Sequence, residues 1–209
     1  MGTDIYGGIE IRNPNADEDW YTRPPWERAI DLYPLYSGRD YAAFGCLFGV
    51  RDLVGWEPVA AGRGLPPDVS PELRKEFVEV AGLDPAVHGP TWVTWAELAR
   101  IDLDAAPAGV RGALVLRDDR TPALEERRWV TDDWPPDVLD RLGPGPAADG
   151  PAATPFGEWR AGPTRVSYRR FTRRDALGPG TGWEHVFAVM RALAGRFGDE
   201  HVRLVVYFD

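Results

Sequence analysis

The chain has 209 residues, of which 44% are hydrophobic, and it carries nine Trp, seven Tyr and eight Phe. This length and aromatic content suit one folded domain with a sizeable core, and they exclude a chain that is disordered throughout. The 33 acidic and 24 basic residues leave a net charge of −9, which disfavours a nucleic-acid partner unless the basic residues are gathered on one patch.

Cysteine use and the lack of long apolar segments indicate the compartment. Cys46 is the single cysteine, which excludes an internal disulfide and a cysteine-based zinc site and suits a reducing compartment. The first residues show neither the basic nor the apolar region of a secretion signal, and no stretch approaches the roughly 20 apolar residues of a membrane span. We therefore expect a cytoplasmic protein without a membrane partner.

Both ends of the sequence carry strand patterns. Residues 4–12 alternate, with Ile5, Ile9 and Ile11 on one face and mostly polar side chains on the other. Residues 201–209 have the same character with a more apolar middle, which is typical of a strand inside a sheet. We expect the two segments to share one mostly antiparallel sheet.

Two segments with apolar side chains at helical spacing are expected to pack on one side of this sheet. Residues 39–50 predict a short apolar helix, and residues 183–197 predict a longer one that ends before Gly198. Gly198 stands where a helix commonly ends on a residue with positive φ.

Two further helices are predicted from their capping residues. Ser70 is a suitable N-cap because a proline follows it at the first helical position, and this helix should run to about Gly82. Thr94 and Glu97 match a capping box, in which a Thr cap and a Glu three residues later satisfy two backbone amides reciprocally. A helix should therefore begin at Thr94.

The region before the last helix is less regular. Residues 135–142 predict a short helix, residues 164–171 predict a strand, and residues 143–155 contain four Pro, three Gly and four Ala, which is typical of a flexible surface loop. The 54 residues after this loop are few for an independent core, so we expect them to complete the first sheet. The sequence thus predicts a single α+β domain over residues 1–209.

Several short motifs occur together in a characteristic order. They lie at residues 1–6 (Met-Gly-Thr-Asp-Ile-Tyr), 38–44, 49–51, 63–70, 88, 94–98 and 203–209 (Arg-Leu-Val-Val-Tyr-Phe-Asp). With them the chain resembles a group of uncharacterised phage and bacterial proteins that open with Met-Gly-Cys-Asp-Ile-His and close with an Arg-hydrophobic-Phe-Asp strand. The resemblance implies no particular chemistry. Thr3 and Tyr6 stand where the group usually has Cys and His, and a phenol with an ordinary pKa near 10 does not simply replace a histidine base or ligand.

The polar face of the first strand carries the first candidate site residues. Asp4, Tyr6 and Glu10 lie on this face and are expected to point the same way. If the face lines a cleft, two carboxylates and a phenol could serve acid-base chemistry or cation binding. The alternative is a solvated outer face, which half-buried antiparallel strands commonly present.

Three arginines near helix or turn boundaries are candidates for anion binding. Arg39, Arg51 and Arg63 could clamp an anionic ligand because a guanidinium makes bidentate contacts with carboxylates and phosphates. The alternative is that they pair with the surplus Asp and Glu of the chain. The glycines around Arg63 lack the spacing of a Walker or dinucleotide-binding loop.

The histidines and the cysteine show no known catalytic spacing. His88 lies in a turn-rich loop and is a candidate ligand-binding residue, although such a histidine commonly caps a backbone group instead. His185 and His201 are expected to be structural or exposed, and no histidine pair has the spacing of a helical zinc site. Cys46 should be a buried, inert thiol. No cofactor or metal is identified.

Two functions from different classes remain open. The first is the binding of a small polar or anionic ligand in a cleft that draws on Asp4, Tyr6, Glu10, Arg39, Arg63 and His88. Hydrolysis of this ligand, with metal assistance, is one option within this function. The alternative is a non-catalytic protein that binds or inhibits a host or phage protein. Trp20 and Trp26 are its candidate anchors because they lie in a polar, proline-interrupted stretch where core packing explains them least.

Overall fold

The chain folds as two compact units, each with one four-stranded antiparallel sheet. The computed structural model describes residues 2–118, 126–131, 134, 136, 138, 140 and 156–209. The first unit comprises Met1–Asp52, Glu57–Leu103 and Arg174–Asp209, and the second comprises Leu53–Trp56 and Asp104–Arg173. Helices accompany the antiparallel sheets, so the predicted α+β class is confirmed.

The elements follow one another in a mixed order along the chain. The strands are β1 (Ile5–Arg12), β2 (Trp26–Asp31), β3 (His88–Thr94), β4 (Gly112–Asp118), β5 (Glu126–Val130), β6 (Gly157–Ala161), β7 (Thr164–Arg170) and β8 (Val202–Phe208). The helices are the short turn α1 (Leu32–Leu35), α2 (Tyr41–Phe48), α3 (Pro71–Leu83), α4 (Trp95–Leu98), α5 (Arg173–Leu177) and α6 (Trp183–Phe197). None of the helices in the described part of the chain is long and apolar enough to cross a membrane.

The sheet of the first unit, sheet A, joins both ends of the chain. Its strand order is β2-β1-β8-β3 with every neighbouring pair antiparallel. β1 and β8 pair in an unbroken register from Ile5 opposite Phe208 to Ile11 opposite Val202. The prediction that the terminal strands share one mostly antiparallel sheet is therefore confirmed.

Helices cover both faces of sheet A. On one face the ring of Phe208 packs against Phe44 and Phe48 of α2, and Phe48 in turn contacts Trp183 of α6. On the other face α3 packs through Leu73, which lies in a buried cluster with Val205 of β8. The expected packing by the segments near 40–49 and 183–197 is present, and α3 covers the face that carries the polar side chains of β1.

The predicted capping residues have the expected roles. The Ser70 hydroxyl accepts a hydrogen bond from the Leu73 amide at the start of α3. Thr94 and Glu97 form a complete capping box, although α4 runs for only four residues after it. Gly198 follows α6 with a φ of +97°, which a glycine adopts without strain.

The sheet of the second unit, sheet B, has the strand order β5-β4-β7-β6. Its buried face is built from Leu114 and Leu116 of β4 and Val166 and Tyr168 of β7. The predicted strand at 164–171 is confirmed as β7. Of the residues expected to complete sheet A, β8 does so, whereas β6 and β7 belong to sheet B, because β6 pairs with β7 and β7 pairs with β4.

Two predictions concern residues that the structure does not describe. The loop expected at residues 143–155 lies outside the described residues, and so does most of the helix expected at residues 135–142. The single domain over residues 1–209 stays a prediction.

Candidate ligand-binding cleft

A cleft of about 360 Å³ lies at one end of sheet A. It is lined by Gly2, Asp4, Arg39, Arg51, Asp84, Ala86, His88 and Asp209. The strand register explains why distant residues meet here: Ile5 pairs with Phe208, and Phe208 pairs with His88. In an antiparallel sheet the start of β1, the end of β8 and the start of β3 therefore lie at the same end of the sheet.

Asp4 and Arg39 form a bidentate ion pair at the wall of the cleft. Arg39 Nη2 donates to Asp4 Oδ2 at 2.5 Å, and Arg39 Nε donates to Asp4 Oδ1. These hydrogen bonds lower the pKa of Asp4 below its ordinary value and raise the pKa of Arg39. Both groups therefore stay charged at neutral pH, and each neutralises the other.

Asp209 connects Asp4 to Tyr6. Its Oδ1 accepts a hydrogen bond from the Asp4 amide at 2.9 Å, and its Oδ2 accepts one from the Tyr6 hydroxyl at 2.8 Å. The hydrogen bond to Asp209, together with partial burial, raises the pKa of Tyr6 to about 12. The Tyr6 ring also stacks on Tyr207 at 5.5 Å between centroids. Tyr6 is thus a protonated donor that orients Asp209.

Arg51 enters the cleft from the residues that follow α2. Its Nε donates to the hydroxyl of the buried Thr3 at 2.9 Å. Its backbone φ of +52° is uncommon for a residue other than glycine. Such a conformation persists where the surrounding structure determines it, and at Arg51 it occurs at the rim of a cleft.

His88 and Asp84 form the third side of the cleft. His88 Nδ1 lies 2.8 Å from the Ala86 carbonyl oxygen. Donation from Nδ1–H to this carbonyl leaves Nε2 of the neutral ring as a hydrogen-bond acceptor. Asp84 Oδ1 accepts a hydrogen bond from the Ala86 amide at 2.8 Å, which fixes the turn before His88.

Glu10 lies outside the cleft although it shares a strand face with Tyr6. Its side chain is fully buried, accepting hydrogen bonds from Arg203 Nε and from the Ser70 amide, each at 2.8 Å. Arg203 Nη1 also donates to Asp68 Oδ1 at 2.8 Å. Helix α3 covers this part of the face. Glu10 therefore lies neither in a cleft nor on a solvated surface.

Arg63 also lies outside the cleft. Its Nη1 and Nη2 donate to the two carboxylate oxygens of Glu97 at 3.0 and 2.7 Å. The guanidinium stands 5.1 Å from the centroid of the Trp92 ring and donates to the Trp92 carbonyl oxygen as well. Arg63 and Arg39 therefore both pair with an acidic residue of the chain, which is the alternative to anion binding that the sequence left open.

The structure thus brings three of the six proposed ligand-binding residues to the cleft wall and places Tyr6 directly behind it. The three are Asp4, Arg39 and His88, and Arg51 joins them. Sequence reasoning does not identify Asp84 or Asp209. The signal for Asp209 is the pairing of the terminal strands, which sets it beside Asp4.

The remaining reactive side chains occupy other places. Cys46 is buried in α2, in agreement with an inert thiol. His185 is exposed on α6, and His201 Nδ1 lies 2.9 Å from the Phe197 carbonyl oxygen. Among the residues that the structure describes, no group of three or more His, Cys, Asp or Glu side chains is arranged to hold a metal ion.

The comparisons with known proteins give no relative. No protein-family model, no curated protein and no solved structure matches this chain.

Proposed function

We propose that the cleft at the end of sheet A binds a small polar ligand that carries an anionic group and hydroxyl groups. The observation that carries this proposal is the convergence of Arg51, His88 and Asp84 with the Asp4–Arg39 pair around one concave space of about 360 Å³. That volume falls within the range of about 300–1,000 Å³ that small-molecule sites occupy.

The charges of the cleft favour a ligand with mixed polarity. Asp4 already neutralises Arg39, so Arg51 is the cation that a ligand's phosphate or carboxylate meets. Asp84 is an acceptor for ligand hydroxyl groups, and so is Nε2 of His88 in the tautomer whose Nδ1–H donates to the Ala86 carbonyl oxygen. Sugar phosphates and nucleoside monophosphates combine these features.

Hydrolysis would be a second step of the same proposal. A neutral histidine with a free Nε2 is a suitable general base for activating water, and His88 has this arrangement when Nδ1–H donates to Ala86. A cytoplasmic setting fits the same proposal, because a chain with one cysteine forms no internal disulfide, which suits a reducing compartment.

The test is a thermal-shift titration with hexose phosphates and nucleoside monophosphates as probes. A probe at 100 times its dissociation constant should stabilise the wild-type protein by about 2.7 kcal/mol. Arg51→Gln should remove the shift, whereas Arg100→Gln, an exposed arginine whose ion pair with Glu200 is 3.9 Å long, should retain it. The proposal fails if no probe shifts the wild type, or if the Arg51 variant responds equally.

A second candidate function is the binding of a host or phage protein. The observation that favours it is Trp20, whose side chain is 66% exposed and lies edge-on to Tyr21 at 6.2 Å. Exposed tryptophans are frequent anchors of protein interfaces. Recovery of a specific partner by the wild type and its loss with Trp20→Ala would favour this function over ligand binding, with Tyr33→Ala as the exposed aromatic control.

A further inference from the structure

One face of sheet B concentrates positive charge. Because side chains alternate along a strand, the residues between the core positions of β4 and β7 point to the opposite face. The exposed arginines on this face, called here the arginine face, are Arg117, Arg128, Arg160, Arg165 and Arg169. Among the side chains that the structure describes in the central depression of this face, Glu158 of β6 is acidic.

Three of the arginines stand side by side in one cross-strand row. Arg117 of β4 is opposite Arg165 of β7, and Arg165 is opposite Arg160 of β6. Like charges directly opposite each other destabilise a sheet. In the backbone register, Glu126 of β5 pairs with Arg117.

The arginine face is also concave at its centre. A depression of about 220 Å³ is lined by Val115, Arg117, Glu158, Arg165, Ser167 and Arg169. Guanidinium groups bind phosphate oxygens through paired hydrogen bonds, and a serine hydroxyl can add a further donor. Each of these arginines also has an interaction within the chain. Binding of a phosphate would therefore replace some of these contacts. What distinguishes the face is the number of arginines gathered on it.

We propose that the arginine face binds the phosphodiester backbone of a single-stranded nucleic acid. A net charge of −9 disfavours such a partner for the chain as a whole, but basic residues gathered on one patch reverse this locally. Neighbouring strands are about 4.8 Å apart and alternate residues along a strand about 6.7 Å apart. The arginines therefore form a grid that an extended strand can cross with successive phosphates in reach.

The composition of the face also defines the kind of binding. The described side chains that line its depression include no aromatic ring on which a base could stack. Binding is therefore electrostatic and independent of base sequence. A double helix fits less well, because its surface is convex and the depression is lined by strand residues. This lining offers no protruding helix or loop that could enter a groove of the duplex.

The test is fluorescence anisotropy of the full chain with labelled oligo(dT) and oligo(dA) of about 12 nucleotides, a length within the range of single-strand sites. With about three phosphate contacts, the logarithm of the association constant should fall with the logarithm of salt concentration with a slope of about −2. The two oligonucleotides should bind within about threefold of each other, and a duplex of the same length should bind more weakly.

Matched double variants separate the face from net charge. Arg165→Gln with Arg169→Gln should weaken binding at least tenfold at low salt and make the slope shallower by about 1.4. Arg100→Gln with Arg196→Gln removes the same charge from the first unit and should leave binding within about twofold. Arg165→Lys with Arg169→Lys keeps the charge and should retain the slope, even if the glutamine variant fails to fold.

Three results would overturn the proposal. The first is no binding of either oligonucleotide at low salt, and the second is an equal loss of affinity in the two glutamine double variants. The third is tighter binding of the duplex, or of labelled polyglutamate, than of the single strand, since these results would assign the face to a different partner.

Discussion

Glu10 and Arg203 lie directly opposite each other in β1 and β8, and their side chains form a buried ion pair with an Nε to Oε2 distance of 2.8 Å. The same guanidinium stands 3.7 Å from the centroid of the Trp26 ring and donates to Asp68. Through the Ser70 amide, Glu10 also fixes the start of α3. One buried acid therefore connects two strands and a helix.

Removal of the Glu10 charge should be strongly destabilising. Glu10→Gln leaves the buried Nε of Arg203 beside a neutral amide while Asp68 still pairs with Nη1, so the cost should lie near the lower end of the about 3–5 kcal/mol of a broken buried pair. Urea unfolding should show this loss. Lys75→Ala, which removes an exposed pair with Glu79 at 3.8 Å, should change the free energy of unfolding by less than about 0.5 kcal/mol. A loss below 1 kcal/mol for Glu10→Gln would contradict the prediction.

Glu97 should contribute stability that depends on pH. Burial acts to raise the pKa of Glu97, but the hydrogen bonds from Arg63 and Thr94 outweigh it and leave the pKa below its ordinary value. Because the folded pKa is below the unfolded one, the stabilisation is complete above about pH 4.5 and is lost as the pH falls through the folded pKa.

The comparison of wild type with Glu97→Gln checks this pH dependence. At pH 7 the variant should be less stable by about 0.5–1 kcal/mol, since it loses the partly exposed ion pair with Arg63, whereas a Gln at this position keeps the capping box. The difference in the free energy of unfolding should shrink steadily as the pH falls below about 4.5. A difference that stays constant from pH 7 to pH 3 would show that the charge of Glu97 has no part in it.

Gly7 and Gly82 should respond oppositely to replacement by alanine. Gly7 has a φ of +133°, and a Cβ there would lie 2.0 Å from the Val205 carbonyl oxygen, so β1 and β8 could not pair unchanged. Gly7→Ala should therefore cost more than about 2 kcal/mol. Gly82 lies near the end of α3, and apart from its chain neighbours and the helix's own backbone no atom lies within 4 Å of its Cβ position, so Gly82→Ala should stabilise by about 0.4–1 kcal/mol. Thermal unfolding measures both, and equal effects would refute the backbone explanation.

The sequence predicted the elements whose side chains repeat with a regular period. β1, β8, α3 and α6 follow from alternation, helical spacing and capping residues, and the pairing of the terminal strands follows from their shared character. The role of Glu10 does not follow in this way. A period of two assigns Glu10 to a face, but the covering of that face by α3 is a tertiary fact.

The cleft could be predicted only in part for a similar reason. Asp4 and His88 lie at strand ends that the register brings to the same end of sheet A, so a correct pairing of the strands places them close together. Arg39 and Arg63 are the same residue type, yet Arg39 lies at this end of the sheet whereas Arg63 pairs with Glu97 elsewhere. The positions of long side chains depend on the partner that each reaches, which local pattern does not encode.

Trp20 and Trp26, which the sequence presents as equivalent candidate anchors, differ in the structure. Trp26 is buried, its Nε1 donates to Asp68 Oδ2 at 2.8 Å, and its ring covers the Arg203 guanidinium. The interpretation of Trp26 as a residue that core packing does not explain is therefore wrong, because packing against the buried ion pair explains it. Trp20 alone remains an exposed candidate.

Single alanine variants should separate these two tryptophans. Trp26→Ala should cost about 3–5 kcal/mol, because it opens a cavity beside Arg203 and leaves Asp68 without one of its donors. Trp20→Ala should change the free energy of unfolding by less than about 0.5 kcal/mol, since its ring is largely in solvent. Urea unfolding measures both losses. A large loss for Trp20→Ala would mean that this ring supports the fold and would remove it as an interface anchor. A double variant cannot make this distinction, because unfolding caused by the Trp26 change would itself abolish binding.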